Sequence, residues 1–140
     1  MRLHKDAKVD LLKGVPLFSK LDKKGLEDVA QIADEIDLPA GKEMATEGDR
    51  GREFFVIISG EVEVRRKGRK VATLGPGTYF GEIALLSHKP RTATVTAVTP
   101  LRLLVIADRQ FVDLLDTMPE LWLKVARSLA ERITADDLSN

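Results

Sequence analysis

The sequence predicts a mainly β domain that carries helices at both ends. Between residues 37 and 107, short runs of β-branched and aromatic residues are interrupted by glycine or proline every six to ten positions. Many short strands at even spacing are typical of a β-sandwich or barrel. Residues 1–36 and 108–135 instead repeat apolar side chains at helical spacing. A chain of 140 residues is long enough for one core, so we expect a single domain over residues 1–140.

The N-terminal region, residues 1–36, is predicted to hold two helices. The first carries a short apolar stripe that stops at a glycine and a proline, and it consists of Leu11, Leu12 and Val15. The second is predicted to begin after Asp22, whose carboxylate can accept from free backbone N–H groups of the first turn. Its apolar stripe consists of Leu26, Val29, Ile32, Ala33 and Ile36.

The central region, residues 37–107, is predicted to contain the strands. Residues 53–59 form one strand, and residues 61–65 alternate between charge and valine. Residues 66–70 are predicted to be a hairpin tip from which residues 71–74 return, and we interpret the cations of residues 65–69 as a solvated hairpin. Residues 93–98 and 101–106 are predicted to form another strand pair.

The C-terminal region, residues 108–135, is predicted to form two helices separated at Met118–Pro119, because proline interrupts a helix. In the second helix, every fourth position is apolar at Leu121, Val125, Leu129 and Ile133. We expect this stripe to pack on the β domain or against a second subunit.

Composition excludes several classes of function. Lys plus Arg and Asp plus Glu both number 22, so no nucleic-acid or membrane partner is expected from charge. The absence of cysteine excludes disulfides and thiol catalysis. No apolar run reaches the roughly 20 residues of a membrane helix, and no signal peptide opens the sequence, so we expect a cytoplasmic protein. The two histidines, His4 and His88, have no metal-ligand spacing, which argues against any metal site and against a cupin enzyme.

Residues 81–86 depart from the alternation of a strand and favour a short helical turn. Gly81 ahead of this turn would let the backbone approach a ligand, and the first N–H groups of such a turn bind anions. A few positions later, Arg91 after Pro90 supplies a guanidinium that can bind phosphate with two hydrogen bonds. Glu82, facing sideways, could accept from a sugar hydroxyl. Each residue alone could be purely structural, but their order together predicts a small phosphate site.

Two segments of this region resemble the phosphate-binding cassette of the cyclic-nucleotide-binding domain family. They are Phe-Gly-Glu-Ile-Ala-Leu-Leu at residues 80–86 and Pro-Arg-Thr-Ala-Thr-Val at residues 90–95. Residues 47–49, 54–58 and 60–64 also resemble early strands of that family, and the likeness covers roughly residues 10–135. It implies a double-stranded β-helix, a jelly-roll-like β-roll, with N-terminal helices and two C-terminal helices.

The resemblance also implies a role for each residue of the site. Arg91 would pair with the exocyclic oxygens of a cyclic phosphate, and Glu82 would accept from the ribose 2′-hydroxyl. Backbone N–H groups would complete the cage at Gly81, Ile83, Ala84, Thr92 and Ala93. Apolar side chains would line the nucleotide at Val64, Val71 and Leu74. The base-covering position of the last helix aligns with Arg132 and Ile133.

The ligand implied by the resemblance is cAMP or cGMP, and no other cofactor is expected. In the family, a threonine after the arginine is often associated with cGMP, so Thr92 would admit that nucleotide. We expect cAMP, because the sequence is bacterial in character and cAMP is the commoner ligand in bacteria.

The expected function is non-enzymatic sensing, in which ligand capture moves the terminal helices. Hydrolysis of a cyclic diester would need metal ions or an activated nucleophile, and no His/Asp cluster lies near the cassette. Further partners would be a second chain docked through the C-terminal helix, or an effector protein. Two alternatives stay open, a nucleotide-free roll that is a scaffold for protein contacts and the sensor part of a longer transcription regulator.

Overall fold

The computed structural model describes residues 3–87 and 89–131, with only the backbone for Glu82 and Ile83. In that part, eight strands form two four-stranded antiparallel sheets, flanked by two helices on either side in sequence. The prediction of a mainly β domain with helices at both ends is therefore confirmed.

The N-terminal helices are α1 (Lys5–Lys13) and α2 (Lys23–Ile32), joined through a 3₁₀ helix at Pro16–Phe18. Asp22 caps α2 as predicted, because its carboxylate accepts from the Gly25 N–H at 2.8 Å.

One boundary of the sequence prediction is wrong, since Ile36 lies in strand β1 (Asp34–Leu38) and not in α2. Its spacing from Ile32 fits a helix, but residues 35–38 alternate between acidic and apolar side chains, which is the two-residue period of a strand. Ile36 pairs with Leu103 and packs in the core of the roll.

The two sheets have strand orders β1-β8-β3-β6 and β2-β7-β4-β5. In the first sheet, β3 is Glu53–Ser59, β6 is Tyr79–Phe80 and β8 is Leu101–Ala107. In the second sheet, β2 is Glu43–Ala45, β4 is Val62–Arg66, β5 is Arg69–Leu74 and β7 is Thr94–Ala97. The predicted hairpin of β4 and β5 is confirmed, with its turn at Lys67 and Gly68.

The predicted pairing of residues 93–98 with 101–106 is wrong, because β7 and β8 lie in different sheets. The segment between them is bound to the turn that joins β3 and β4. The Val98 N–H donates to the Glu61 carbonyl at 2.9 Å, and the Glu61 N–H donates to the Thr99 hydroxyl at 3.1 Å. These bonds direct the chain across to the other sheet instead of back along β7.

Two apolar cores lie on opposite faces of β3. Phe54 and Val56 pack with the helices, whereas Phe55 and Ile57 face the second sheet. Successive side chains of a strand point to opposite faces, so a strand that is covered on both sides is apolar throughout.

The C-terminal helices are α3 (Asp108–Thr117) and α4 (Pro119–Glu131), separated at Met118 as predicted. Leu121 and Val125 are buried in the helical core, and Ser128 donates a hydrogen bond to the Pro16 carbonyl. In the part of the chain that the structure describes, no helix is long and apolar enough to span a bilayer.

Candidate functional site

A cleft of about 480 Å³ opens beside the second sheet. Its walls are residues 79–81 and 84, the β4–β5 hairpin, and residues 87, 89–93 and 95, together with Gly51 and Ala45. The volume lies within the range of small-molecule sites, about 300–1,000 Å³. The cleft therefore has room for a compact ligand, and both predicted cassette segments line it.

Arg91 enters this cleft from a backbone that is fixed on both sides. Its N–H donates to the Asp49 carbonyl at 2.7 Å, and its carbonyl accepts from the Gly48 N–H at 2.9 Å. Its guanidinium donates to the Glu53 carbonyl at 2.7 Å and lies 6.0 Å from the centre of the Phe55 ring. These contacts hold the guanidinium in one place along the cleft wall.

The Arg91 side chain passes between two glycines that leave it room. A Cβ atom at Gly51 would lie 2.7 Å from Arg91 Nε, and a Cβ atom at Gly81 would collide with Arg91 Nη1. Gly81 also has a positive φ of 83°, a backbone conformation that other residues rarely adopt. Gly81 is thus needed both for the turn and for the close approach of the guanidinium.

Partial burial lowers the pKa of the Arg91 guanidinium below its ordinary value, and the nearby charge of Glu53 opposes this shift. Arginine stays protonated in proteins at neutral pH despite such a shift. Among the described side chains of the cleft, three are cationic, Arg66, Lys89 and Arg91, and none is a carboxylate. The cleft is therefore suited to an anion.

The predicted short helical turn is present as a 3₁₀ turn at Glu82–Leu85. Two neighbouring residues of this turn have different surroundings. Ala84 lines the cleft, whereas Leu85 is buried in the helical core. The turn thereby connects the cleft to the packing of the terminal helices.

The residues that line the cleft lie in a part of the chain that is similar to known proteins. The family model described as the cyclic nucleotide-binding domain matches residues 35–118, which is more than half of the chain. The chain belongs to the cyclic nucleotide-binding domain family. It is a cyclic nucleotide-binding regulatory domain, like those of cAMP-dependent kinase regulatory subunits.

Individual relatives have different biological settings. A cAMP-dependent protein kinase regulatory subunit from Eremothecium gossypii is 39% identical over 115 residues, covering 79% of this chain and 24% of the subunit. The N-terminal domain of a transcriptional regulator from Streptomyces coelicolor has a TM-score of 0.80 at 32% identity, covering 89% of this chain and 92% of that one. The chain spans between a fifth and about a third of the length of the curated relatives it matches.

A third similar protein was solved with its ligand. The regulatory domain of Toxoplasma gondii PKA with cAMP has a TM-score of 0.72 and 34% identity, covering 79% of this chain and 44% of that one. Together with the Streptomyces coelicolor domain, it confirms the β-roll fold that the sequence resemblance implied.

Most of the predicted site residues converge on the cleft of this cyclic nucleotide-binding domain. Those that line it are Gly81, Ala84, Arg91, Thr92, Ala93, Val64 and Leu74. For Glu82 and Ile83 only the backbone is described, and it lies in the 3₁₀ turn. The predicted base-covering residues Arg132 and Ile133 lie outside the described residues.

Val71 departs from the expectation, because it is 52% exposed and does not line the cleft. Val64 pairs with Ala72 and Arg65 pairs with Lys70, so Val71 is the extra residue of a β-bulge. Strand alternation places Leu74 and Ala72 on one face and Val71 on the other.

Several residues of the cleft were missed by the sequence analysis. They are Ala45, Gly51, Arg66, Tyr79, Ser87 and Lys89, whereas Phe80, Pro90 and Val95 belong to the two cassette segments. Arg66 could have been found, because the alternation of residues 61–65 continues and puts position 66 on the face of Val64. No local pattern pointed to Gly51, which reaches the cleft through the contact of residue 50 with Pro90.

Proposed function

We propose that this domain captures a cyclic nucleotide in the cleft and that Arg91 binds its cyclic phosphate. The observation that carries the proposal is the guanidinium of Arg91, held at the cleft between two glycines and hydrogen-bonded to a backbone carbonyl. Within the described residues, no carboxylate forms an ion pair with this guanidinium. A charged, partly desolvated group of this kind is completed by an anionic ligand.

The remaining roles are proposed from the family resemblance. Backbone N–H groups at Gly81 and Ile83 would donate to the phosphate from the 3₁₀ turn, and those of Thr92 and Ala93 would donate from residues 92–93. The Ala84 N–H, which donates to the Gly81 carbonyl at 3.0 Å, would have to share or exchange that bond. Glu82 would accept from the ribose 2′-hydroxyl. Val64 and Leu74 would contact the nucleoside, and the base would be covered by Arg132 and Ile133.

We propose cAMP as the first ligand to test, because a similar solved domain carries cAMP and a similar kinase subunit is named for it. cGMP is the second, since Thr92 lines the cleft and offers a hydroxyl to a base amino group. The proposed activity is binding without catalysis. In the described part of the chain, no group of three or more potential ligands could hold a metal ion for hydrolysis.

The experiment is isothermal titration of cAMP and cGMP into the wild type and into Arg91→Ala. We expect wild-type binding in the micromolar range, about −8 kcal/mol, and a loss of roughly 2–5 kcal/mol in Arg91→Ala, because a buried phosphate would lack its partner. Arg109→Ala, at an exposed position of α3, is the matched control and should bind as the wild type does. Unchanged affinity in Arg91→Ala would refute the proposal.

We further propose that capture is transmitted to the terminal helices through Leu85. Ala84 contacts the cleft on one side of the 3₁₀ turn, while Leu85 packs in the core that includes Phe111, Leu115 and Leu121. A ligand that repositions the turn must therefore repack these helices. The outer face of α4 would pass the change to a second chain or an effector.

Amide hydrogen exchange with and without cAMP tests this coupling. We expect exchange in α4 to differ measurably between the two states, because the ligand favours one packing of the helices over another. Strand β1 is a useful internal reference, because β8 and β3 separate it in the sheet from β6, the strand that leads into the turn. Identical exchange in α4 at saturating cAMP would exclude the coupling.

A further inference from the structure

The tip of the β4–β5 hairpin concentrates positive charge on the surface. Five of the six residues from 65 to 70 are lysine or arginine, and every residue from 65 to 71 is exposed. Arg66 lines the cleft. The other four do not, and we call them, together with Val71, the basic tip: Arg65, Lys67, Arg69 and Lys70. The balanced charge of the whole chain does not reveal this patch, because a surface contact depends on the charges that face it.

The backbone of the basic tip is held in one defined turn. Both central residues have positive φ, 52° at Lys67 and 78° at Gly68, and such a two-residue turn matches the twist of the strands that it joins. The Lys67 N–H donates to the Glu47 carboxylate at 2.9 Å, and the Arg65 guanidinium donates to the Gly68 carbonyl at 3.2 Å. A partner therefore meets a preformed turn and does not have to order a loop.

Most of the charge on the basic tip is not neutralised by the protein. Arg65 pairs with Glu63, with Nε 2.8 Å from a carboxylate oxygen. In the part of the chain that the structure describes, no carboxylate forms an ion pair with Lys67, Arg69 or Lys70. Cations that share one exposed surface and lack acidic partners attract an anionic surface within about a Debye length.

Val71 indicates which kind of anionic surface fits the basic tip. It is the extra residue of the bulge in β5, and its side chain is 52% exposed on the outer face of the sheet, the face of Arg65 and Lys70. Cationic and apolar side chains on one face suit the boundary between lipid headgroups and acyl chains. The backbone of a nucleic acid is bound through its phosphate charge, and it offers an exposed valine no apolar contact.

We propose that the basic tip docks this domain on the surface of a membrane that contains anionic phospholipids. Its four cations contact the headgroups, and Val71 enters the interface between them. Near such a surface each lysine or arginine strengthens binding by about 5-fold. A few cations and one apolar side chain give weak, reversible attachment without insertion. The residues of the basic tip do not line the cleft, so this docking stands or fails independently of nucleotide binding.

The test is co-sedimentation of the full chain with vesicles of phosphatidylcholine and phosphatidylserine in equal amounts, and with vesicles of phosphatidylcholine alone. We expect binding to the anionic vesicles only, and we expect it to weaken as salt rises from about 0.05 M to about 0.5 M, because salt screens the charges. The double variant Arg69→Gln/Lys70→Gln should lower the partition coefficient roughly 25-fold. The matched control Lys13→Gln/Lys42→Gln removes the same charge from exposed positions elsewhere, and it should change that coefficient by less than about 2-fold.

Val71→Ser tests the apolar part of the contact. We expect it to weaken binding to the anionic vesicles about 3-fold, because part of a valine side chain no longer enters the interface. All of these positions are exposed, and thermal unfolding of each variant verifies that the fold is kept.

Three results would overturn the proposal. An equal loss in the two double variants would show attraction by the charge of the whole protein. Absence of binding to the anionic vesicles would leave the cations the role of protecting the edge strand β5 from pairing with another chain. Tighter binding to a DNA duplex of random sequence than to the anionic vesicles, at the same concentration of negative charge, would assign the basic tip to nucleic acid.

Discussion

At the scale of single residues, the site depends on space as much as on charge. Arg91 supplies the guanidinium, but its path along the cleft exists only because positions 51 and 81 have no side chain. Gly51 has an ordinary backbone conformation, so a methyl group there would be unfavourable chiefly through its contact with Arg91. A substitution at Gly51 therefore tests the position of the Arg91 guanidinium without removing its charge.

We predict that Gly51→Ala weakens cAMP binding by roughly 10-fold while the protein stays folded. Its Cβ would lie 2.7 Å from Arg91 Nε and 3.1 Å from Cδ, which displaces the guanidinium. Part of a charge-assisted bond of about 1.5–3 kcal/mol is then lost. Titration calorimetry and thermal unfolding measure the two effects.

The control is Gly75→Ala, where a Cβ would meet nothing within 4 Å. It should leave affinity and the unfolding midpoint close to those of the wild type. If Gly51→Ala bound cAMP as tightly as this control, the position of the guanidinium along the cleft would be immaterial.

The sequence pattern pointed most clearly to the cleft residues of the two cassette segments. Gly81, Arg91 and Thr92 belong to the two cassette segments, whose order carries the resemblance. Gly51 and Arg66 were missed because long-range contacts bring them to the cleft, one through the Arg50–Pro90 bridge and one through the pairing of β4 with β7.

At the scale of secondary-structure elements, helices and strands with a clear local pattern were predicted well. The cap at Asp22, the β4–β5 hairpin and the break at Met118 each follow from neighbouring residues. Val71 does not line the cleft as the family resemblance implied, because it is the extra residue of a bulge in β5 and lies on the face opposite to Ala72 and Leu74. A bulge depends on how two strands pair, so the sequence of either strand alone does not indicate it.

Strand pairing was the part of the fold that local patterns could not give. The short link between β7 and β8 suggested a hairpin, yet the two strands belong to different sheets. The bonds from Val98 and Thr99 to Glu61 that redirect the chain join residues 37 or 38 positions apart. Such contacts exist only once the roll has formed.

At the scale of the whole molecule, the terminal helices form one packed unit with the outer face of the roll. Charged contacts add to this packing, since Lys5 pairs with Glu27 at 3.0 Å and Lys20 pairs with Glu131 at 2.9 Å. The backbone bond from Gly25 lowers the pKa of Asp22, and the hydrogen bond from Lys5 lowers the pKa of Glu27. Stability of the domain is therefore linked to pH through its helices.

We predict that the free energy of unfolding falls as the solution becomes acidic. Asp22 and Glu27 have lower pKa values in the folded state than in the unfolded state, so the unfolded chain binds more protons in acid. Their contribution is complete above the ordinary values of 3.8 and 4.5 and is lost as the pH falls through the lowered folded values. Urea unfolding between neutral pH and about pH 3 measures the slope.

The control for this linkage is the pair of substitutions Asp22→Asn and Glu27→Gln. Both keep a hydrogen-bonding oxygen and remove the titrating proton, so the double variant should lose less stability on acidification than the wild type. An equal loss in both proteins would assign the acid sensitivity to other carboxylates.

The most direct measurement is a crystal structure of the domain with cAMP bound. The account predicts an exocyclic phosphate oxygen within hydrogen-bonding distance of the Arg91 guanidinium, and another facing the N–H groups of the turn at Glu82–Leu85. A nucleotide bound elsewhere, or an Arg91 that still contacts only the Glu53 carbonyl while cAMP occupies the cleft, would contradict it.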